Sequence, residues 1–340
     1  MSSVDTQKKK KAIFLNKNFA LLPILVVIFI AGSFINPAFL TVNNLLNNVL
    51  TTSAVLGVLV IGEAIILIGG FFDLSLQSIV GFGPMLMAVL VSPKISELLD
   101  GNDGYALPGL VGFLIALAII VAIGTFNGFM VAKLKLNAFI VTLAMLILIQ
   151  GFTLGISGGQ TYSGLPRYMT YLGDGQILGI PVQAIIFVVL FAAAYVFMKY
   201  TVSGRNIYAM GGNLNAAKAA GINVTRVTIG IFMAGAVFAM FSGLMLTGRI
   251  ASVTANQGDG MIFTVFAASV IGGISLEGGR GNLIGAGIGV ILLGVIQNIL
   301  TLSNVPSFWI NAAYGAIILG ALLVGWVSSR NRTTTRSNKG

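Results

Sequence analysis

Residues 199–226 read KYTVSGRNIYAMGGNLNAAKAAGINVTR, and this polar stretch separates two long apolar segments. It is the longest hydrophilic interruption after the N-terminal tail, and it holds basic residues but no acidic one: Lys199, Arg205, Lys218 and Arg226. The apolar segments on either side, about 180–198 and 227–247, each have the length that a helix needs to cross a bilayer. We call residues 199–226 the basic segment. Its setting predicts a membrane protein with a polar connection between two spans.

The centre of the basic segment predicts a short helix with defined ends. Gly211-Gly212 breaks the preceding segment, and Asn213 or Asn215 can cap a helix by accepting from a free backbone N–H. Residues 216–220 are good helix formers, and Gly221 stands where a left-handed C-terminal cap is expected. A capped helix held between two spans would be a rigid element that a partner could grip.

The composition of the whole chain supports a polytopic membrane protein. Of the 340 residues, 56% are hydrophobic and 8% are charged, and the mean hydropathy is +0.98. The net charge of +10 fits basic residues that flank spans on the cytoplasmic side better than it fits a nucleic-acid partner. We therefore expect an all-α polytopic protein that contacts the lipid bilayer and no nucleic acid.

Apolar windows predict about ten transmembrane helices, some of them short or broken. The predicted spans are residues 19–35, 49–68, 76–91, 108–132, 138–156, 180–198, 227–247, 261–274, 283–302 and 308–327. The third span carries Gly81, Gly83 and Pro84, so we expect it to be kinked or broken. The first span lacks a small-residue cleavage site, so we expect it to remain as an anchor.

The distribution of charge predicts that both termini are cytoplasmic. With ten spans and the N-terminus inside, only three of the 19 Lys and Arg residues fall outside: Lys94, Arg167 and Arg249. The external loops instead collect acidic residues, in agreement with the positive-inside rule: Glu97, Asp100, Asp103, Asp174 and Asp259. The expected organisation is a basic cytoplasmic tail at 1–18, a transmembrane domain at 19–328 with the basic segment inside the cell, and a cytoplasmic tail at 329–340.

The residue types that usually carry catalysis are missing. The sequence has no Cys and no His, so it offers no thiolate, no imidazole metal ligand and no histidine proton shuttle. It also lacks the Gly-x-x-x-x-Gly-Lys-Ser/Thr loop that cradles nucleotide phosphates. We expect no catalytic residue, no metal, no cofactor and no ATPase site in the chain, so active transport would require an external motor.

Polar residues in or next to the spans are candidates for a solute pathway: Glu63, Asp73, Ser75, Gln77, Asn127, Gln150 and Asn298. Glu63 is the only acid well inside a predicted span, where a carboxylate must face protein or water. It can contact a solute or a proton, or it can bond to neighbouring helices, and both interpretations stay open. For Asp73 and Ser75, capping of the third helix is favoured over a gate or a subunit contact. Amides can also bridge helices without touching a solute.

Four ordered motifs resemble the signature segments of ribose-type ABC importer permeases. They are GGFFDLS at 69–75, GRNIYAMGGN at 204–213, AGINV at 220–224 and GGISLEGGRG at 272–281. The family also holds permeases for other simple sugars and, more distantly, for branched-chain amino acids and nucleosides. The resemblance covers roughly residues 20–328, which is nearly the whole chain.

The resemblance implies a permease subunit in a prokaryotic inner membrane that forms the pathway for a simple sugar. It implies a second permease copy, usually as a homodimer, two cytoplasmic ATPase subunits and an extracytoplasmic sugar-binding protein. The basic segment matches the family's cytoplasmic coupling segment, whose short helix docks into a groove on the ATPase. The ATPase-coupling role carries over to Gly204, Arg205, Gly211, Gly212, Asn213, Ala217 and Gly221.

Departures from the commonest family pattern leave the solute open. Phe72 and Gln77 stand where Ile and Gly are usual, and Glu63 stands where an uncharged residue is common. A nucleoside or another small polar solute is the alternative to a sugar, and an ion-coupled carrier that uses Glu63 is a further one. On the coupling interpretation, Gly221→Pro or Gly212→Val is expected to uncouple ATP hydrolysis from uptake.

Overall fold

Helices make up most of the chain in the computed structural model, which describes residues 21–92, 105–306, 308–310, 312–316 and 319–320. The helices are α1 (Leu22–Ile35), α2 (Val42–Ile68), α3 (Leu76–Val91), α4 (Gly109–Ala132), α5 (Ala138–Ser157), α6 (Arg167–Asp174), α7 (Val182–Tyr200), α8 (Val202–Gly212), α9 (Leu214–Ala219), α10 (Val224–Ile250), α11 (Met261–Ile271) and α12 (Leu283–Leu302). The described residues beyond Pro306 are also helical. The tails 1–18 and 329–340 and the acidic loop with Glu97, Asp100 and Asp103 lie outside the described residues.

Six of these helices are long and apolar enough to cross a membrane: α2, α4, α5, α7, α10 and α12. Three shorter apolar helices, α1, α3 and α11, accompany them in the described part of the chain. The prediction of an all-α polytopic membrane protein is therefore confirmed. The helices follow the predicted spans closely, although α2 begins at Val42, seven residues before the predicted start at 49.

Helix α2 lies at the centre of the bundle, and 94% of its most apolar window is buried. Small residues allow α10 to approach its neighbours closely, as is typical of membrane helices. A Cβ at Gly128 of α4 would lie 2.6 Å from the Cα of Ile229 in α10, and one at Gly62 of α2 would lie 3.1 Å from the Cα of Gly235. The core therefore forms where α10 packs against both α2 and α4.

Helix α3 is continuous through Pro84, so the third span is not broken, and the kink predicted as the alternative stays a prediction. Pro84 has no backbone N–H, which leaves the carbonyl of Val80 without its usual partner four residues on. The side chain of Gln257 satisfies this carbonyl, because its Nε2 donates to Val80 O at 3.1 Å. A side chain from the loop between α10 and α11 thus replaces the missing helical hydrogen bond.

Two helix ends share one local geometry that the sequence repeats. Helix α2 ends at Ile68-Gly69-Gly70 and helix α11 at Ile271-Gly272-Gly273, and both second glycines are left-handed, with φ of 87° and 86°. The N–H groups of Gly70 and Phe71 donate to Leu67 O and Ile66 O, and equivalent bonds close α11. Both ends are Schellman motifs, so the repeated Ile-Gly-Gly specifies the same sharp stop twice.

The stretch between α5 and α7, residues 158–181, contains structure that the sequence did not reveal. It holds α6 and three two-residue strands: β1 (Tyr162–Ser163), β2 (Gln176–Ile177) and β3 (Ile180–Pro181). Strand β1 pairs antiparallel with β4 (Ser252–Val253), and β2 pairs antiparallel with β3. The β1–β4 pairing connects the loop after α5 with the loop after α10.

Candidate functional site

Three motif segments meet backbone to backbone at the end of the bundle where the basic segment lies. The N–H of Gly279 donates to the carbonyl of Ile68 at 2.8 Å. A Cβ at Gly211 would overlap that same carbonyl oxygen and would lie 2.6 Å from the nitrogen of Gly279. The end of α2, the end of α8 and the loop between α11 and α12 therefore share one contact, which we call the glycine junction.

Further contacts close the glycine junction on both sides. Gly278 has a left-handed φ of 82°, and a Cβ there would lie 2.6 Å from the Cα of Gly70. The hydroxyl of Tyr208 donates to Gly281 O at 3.0 Å. Burial raises the pKa of the Tyr208 hydroxyl above its ordinary value, so this group remains a donor at neutral pH. Helix α8 is thereby tied to the α11–α12 loop by a side chain as well as by backbone packing.

The basic segment folds into two helices rather than one, and a single residue joins them. Asn213 ends α8 and begins α9, where its Oδ1 accepts from the N–H of Ala216 at 3.0 Å. Gly221 follows α9 with a left-handed φ of 81°, and the N–H groups of Gly221 and Ile222 donate to Lys218 O and Ala217 O. These bonds form a Schellman motif. The prediction of a short, doubly capped helix is confirmed, whereas the sequence missed α8.

The seven coupling candidates occupy distinct places in this two-helix unit. Gly204 is buried and packs so closely on Met198 that a Cβ there would overlap its backbone. Ala217 is the buried residue of α9. Arg205 is exposed, and its Nη1 donates to Tyr200 O at 3.4 Å. Gly211 belongs to the glycine junction, but a Cβ at Gly212 would meet nothing within 4 Å. Only Gly211 therefore requires a glycine for close contact with another motif.

Four pathway candidates form one buried cluster beside the end of α2. The N–H of Asp73 donates to Glu63 Oε1 at 3.4 Å, and Asp73 Oδ1 accepts from the N–H of Ser75 at 2.9 Å and from its Oγ at 2.5 Å. Asn127 of α4 donates through Nδ2 to Ser75 Oγ at 2.9 Å. None of the four side chains has exposed surface. The cluster ties the 69–75 turn to α2 and α4.

This cluster corrects the capping interpretation of Asp73 and Ser75. Ser75 is the N-cap residue of α3, but its side chain accepts no hydrogen bond from that helix. The carboxylate of Asp73 accepts from Ser75 itself, and the Ser75 hydroxyl is engaged by Asp73 and Asn127. Both side chains form their hydrogen bonds within the buried cluster, and Ser75 does not cap α3 through its side chain.

A polar cavity of about 880 Å³ opens toward the opposite end of the bundle. It lies between the first half of α2, the last turns of α10 and α12, the start of α11 and helical residues beyond 313. Its polar lining comprises Thr52, Arg249, Asn256, Asp259, Thr264, Gln297 and Tyr314. The N-terminus of α11 begins at this cavity, and its first N–H groups donate to Gln77 Oε1 and to carbonyls of the preceding turn.

The remaining pathway candidates support this cavity or lie behind it. Gln77 Oε1 accepts from the N–H of Gly260 at 3.1 Å, so it fixes the start of α11. Gln150 Nε2 donates to Asp259 Oδ1 at 3.2 Å, from behind the lining. Asn298 forms a reciprocal amide pair with Asn44, at 2.8 and 2.9 Å. None of the seven predicted residues belongs to the cavity lining itself.

Apart from Gln297, an amide within a span that could line a solute path, sequence reasoning missed the polar residues that line the cavity. Gln297 had been visible as an amide within a span, and Arg249 as one of the few basic residues expected outside. Tyr314 Oη donates to Gln297 Oε1 at 3.1 Å, which joins α12 to the last helical stretch. Their common signal was a polar side chain near the same end of three different spans, which neither composition nor motifs single out.

The lining offers hydrogen bonds rather than reactive chemistry. Hydroxyl, amide and phenol groups and the charged Arg249 and Asp259 alternate with apolar walls, which suits the recognition of a small polar solute. No group of His, Cys, Asp and Glu that could hold a metal ion occurs among the described residues. The arrangement can bind and pass a polar solute.

Comparisons with known proteins agree with this geometry. A family model described as "Branched-chain amino acid transport system / permease component" matches residues 45–327. The chain is 32% identical to the ribose import permease of Escherichia coli (strain K12) over 309 residues, which are 90% of this chain and 92% of the relative. It is 35% identical to an autoinducer 2 import system permease of Enterobacter sp. (strain 638), over 91% of this chain and 87% of the relative.

A third relative, an L-arabinose ABC transporter permease of Azospirillum brasilense, is 31% identical over 88% of this chain and 85% of its own length. No solved structure matches the chain. The matched span contains the glycine junction, the basic segment and the polar cavity. The chain therefore belongs to the family of branched-chain amino acid transport system permease components, which includes these relatives.

Proposed function

We propose that this chain is the membrane-spanning permease subunit of an ATP-binding-cassette importer and forms the passage for a simple sugar. The observation that carries the proposal is similarity along about nine tenths of the chain to permeases named for ribose, arabinose and autoinducer 2 import. As a permease component, the chain transports its solute without an ATPase site of its own. It is a multi-pass protein of the bacterial inner membrane.

The polar cavity supports a sugar as the solute. Its volume of about 880 Å³ lies within the range of about 300 to 1,000 Å³ that is typical of small-molecule sites. Gln297, Asn256 and Tyr314 can donate to and accept from hydroxyl groups, which are the main polar groups of a sugar. The cavity opens at the end opposite the basic segment, where a binding protein outside the cell could deliver solute.

The basic segment supports coupling to a cytoplasmic ATPase. Ten spans with both termini inside, as the charge distribution favours, would place α8 and α9 in the cytoplasm. A displacement of α9 would pass through Asn213 to α8, and through the glycine junction to α2 and the α11–α12 loop. The seven coupling candidates lie on or around this route, and an extracytoplasmic binding protein and two ATPase subunits complete the system.

A homodimer is part of the same proposal. Arg249 and Asp259 line the cavity but retain exposed side chains, so one copy does not enclose a solute. A second permease copy facing the cavity would complete the enclosure. Cross-linking of single cysteines introduced at these positions in intact membranes would report the pairing, and a monomer at every position would contradict it.

Reconstitution tests the transport function. The permease, its ATPase and its binding protein are placed in proteoliposomes, and ATP-dependent uptake of labelled ribose and arabinose is measured. We expect uptake that stops when the ATPase is inactivated by mutation. Uptake that continues without ATP hydrolysis would exclude an ATP-driven importer and would favour the ion-coupled carrier. Autoinducer 2 is a second candidate solute, supported by the relative with 35% identity, and it enters the same assay.

A pair of variants tests whether the polar cavity holds the solute. Gln297→Leu removes a lining amide, and Thr301→Ala removes a hydroxyl one turn further along α12 that bonds only to Gln297 O. We expect the first to raise the apparent KM about fivefold, the value of one lost hydrogen bond, and the second to leave it unchanged. Equal KM values in both variants would place the solute elsewhere.

A further inference from the structure

A second, smaller cavity of about 290 Å³ lies beside the basic segment. Its walls are apolar, with Ile65 of α2, Phe197 of α7, Ile207 of α8 and Val227 of α10, and its rim carries Ser203 and Arg226. We call it the basal groove. It shares no lining residue with the polar cavity. The proposed transport function assigns no role to this groove.

The surroundings of the basal groove mark the boundary between hydrocarbon and headgroups. Val196 and Val202, on either side of the α7–α8 turn, are 52% and 63% exposed, as expected of side chains that face lipid rather than water. Lys199 lies between them, its Nζ donates to Tyr195 Oη at 2.7 Å, and it lies 5.1 Å from the ring centre of Tyr200. Tyrosine and lysine together are typical anchors at a membrane interface.

The rim of the basal groove carries a positive charge that no acidic side chain in the described part of the chain neutralises. The basic segment contains no acidic residue, and Arg226 has no carboxylate partner, since the only ion pair among the described residues joins Arg167 and Asp174. Ser203 and Arg226 lie in the first turns of α8 and α10. The partial positive charge of these helix ends adds to that of the guanidinium. An apolar groove with a cationic rim complements an anionic amphiphile.

We propose that the basal groove binds one anionic glycerophospholipid of the cytoplasmic leaflet. An acyl chain lies along Phe197, Ile207 and Val227, and the phosphate accepts hydrogen bonds from Arg226 and Ser203. The inner leaflet is rich in anionic lipids, and basic pockets between membrane helices on that side recognise their headgroups. The sidedness rests on the proposed function, whereas the lipid site goes beyond it.

Gly230 keeps the basal groove open. It lies in the groove wall on α10, and a Cβ at this position would meet nothing within 4 Å. A side chain there would extend from this open Cβ position into the space proposed for the acyl chain. Gly230→Leu is therefore expected to fold normally and to fill the groove.

Lipid binding is measured on the purified full-length chain in mild detergent by native mass spectrometry. The probes are phosphatidylglycerol and phosphatidylcholine with identical acyl chains. We expect the wild type to retain phosphatidylglycerol preferentially. Arg226→Gln should weaken this binding about fivefold, as expected for one basic residue near a membrane surface, and Gly230→Leu should weaken it for both lipids.

Matched controls remove a basic charge or a glycine elsewhere. Lys133→Gln removes an exposed charge at the end of α4, and Gly151→Leu fills open space on α5. Both should bind phosphatidylglycerol as the wild type does. Equal binding of the two lipids by the wild type, or unchanged phosphatidylglycerol binding in Arg226→Gln, would overturn the proposal. If Gly230→Leu does not fold, Arg226→Gln alone decides.

A protein occupant is the competing outcome. If the basal groove received the ATPase instead, Arg226→Gln and Gly230→Leu would weaken co-purification with the ATPase while lipid selectivity stayed unchanged, and the lipid site would be excluded. The measurement needs neither substrate nor ATP. Its failure would therefore leave the transport proposal intact, and a failure of transport would not affect the lipid result.

Discussion

The two ends of the membrane domain are built from different kinds of contact. At the glycine junction, the backbones of α2, α8 and the α11–α12 loop touch directly, and the Tyr208 side chain adds one hydrogen bond to Gly281 O. At the polar cavity, glutamine side chains hold the loop before α11 in place: Gln77 bonds to Gly260, and Gln257 bonds to Val80, Gly243 and Thr247. The close contact at one end is mainly between backbones, and the contact at the other end depends on side chains.

This contrast suits the two tasks of a coupled permease. Direct backbone contact leaves no rotamer free to absorb a displacement, so movement of α8 must shift α2 and the loop with it. Side-chain contacts around a cavity can change from one protein to another without altering the backbone. The family motifs accordingly cluster at the glycine junction, while the cavity lining falls outside them.

The largest effect on transport is expected from Gly211→Ala, which disrupts the backbone contact at the glycine junction. The added methyl group would overlap the carbonyl oxygen of Ile68, and overpacking of this kind costs about 1 to 3 kcal/mol. Gly211 is helical, so alanine introduces no backbone strain. We expect ATP-dependent uptake in proteoliposomes to fall about tenfold or more, because each 1.4 kcal/mol is a factor of ten.

Gly212→Ala is the matched control, because a Cβ at the next residue meets nothing within 4 Å. It should transport as the wild type does. This changes the expectation from sequence, in which Gly212 was a position whose replacement would uncouple. If Gly211→Ala transports normally, the backbone contact does not carry coupling. If both variants fail, steric overlap at Gly211 is not the cause.

The next effect is expected from Gln257→Leu at the opposite end. The change leaves the buried carbonyl of Val80, which Pro84 cannot satisfy, without a donor, and an unsatisfied buried group costs about 1 to 3 kcal/mol. We expect the free energy of unfolding in detergent to fall by about 2 kcal/mol. Gln160→Leu, at an exposed glutamine, should change it little. Equal thermal stability of the two variants would show that Gln257 does not hold the loop.

Sequence was sufficient for the helices and for the local ends of the basic segment. The predicted spans 76–91 and 283–302 coincide with α3 and α12, because hydropathy over a continuous window reflects a local requirement for burial in lipid. The caps at Asn213 and Gly221 also followed from local rules. Each of these features depends on residues close together in the chain.

The glycine junction and the polar cavity depend on residues far apart in the chain. Gly211 and Gly279 were each within a motif and Ile68 directly preceded one, but nothing in the sequence shows that their backbones touch. The lining residues Thr52, Arg249 and Tyr314 come from three helices. The polar amides chosen from sequence lie instead in supporting contacts, because an amide is equally suited to a helix bridge and to a solute contact.

A smaller effect is expected from Gly221→Pro at the end of α9. Proline cannot adopt a φ of 81° and cannot donate to Lys218 O, so the α9 cap is lost at a cost of about 1 kcal/mol. We expect the amount of sugar moved per ATP hydrolysed to fall about fivefold, the factor that 1 kcal/mol represents. Gly221→Asn, which tolerates the left-handed region, should retain coupling. An unchanged ratio in Gly221→Pro would show that α9 need not be rigid.

The smallest effect is expected from Asn298→Leu, which tests whether an amide chosen from sequence serves the solute or the structure. Asn298 bonds to Asn44 and lies outside the cavity lining, and side-chain hydrogen bonds between membrane helices contribute about 0.6 kcal/mol on average. Unfolding of Asn298→Leu, Asn44→Leu and the double variant should give a coupling energy of about that size. The apparent KM for sugar should remain unchanged, in contrast to Gln297→Leu on the same helix. A raised KM in Asn298→Leu, with no coupling energy between Asn298 and Asn44, would indicate that Asn298 contacts the solute. The solute would then also pass behind α12.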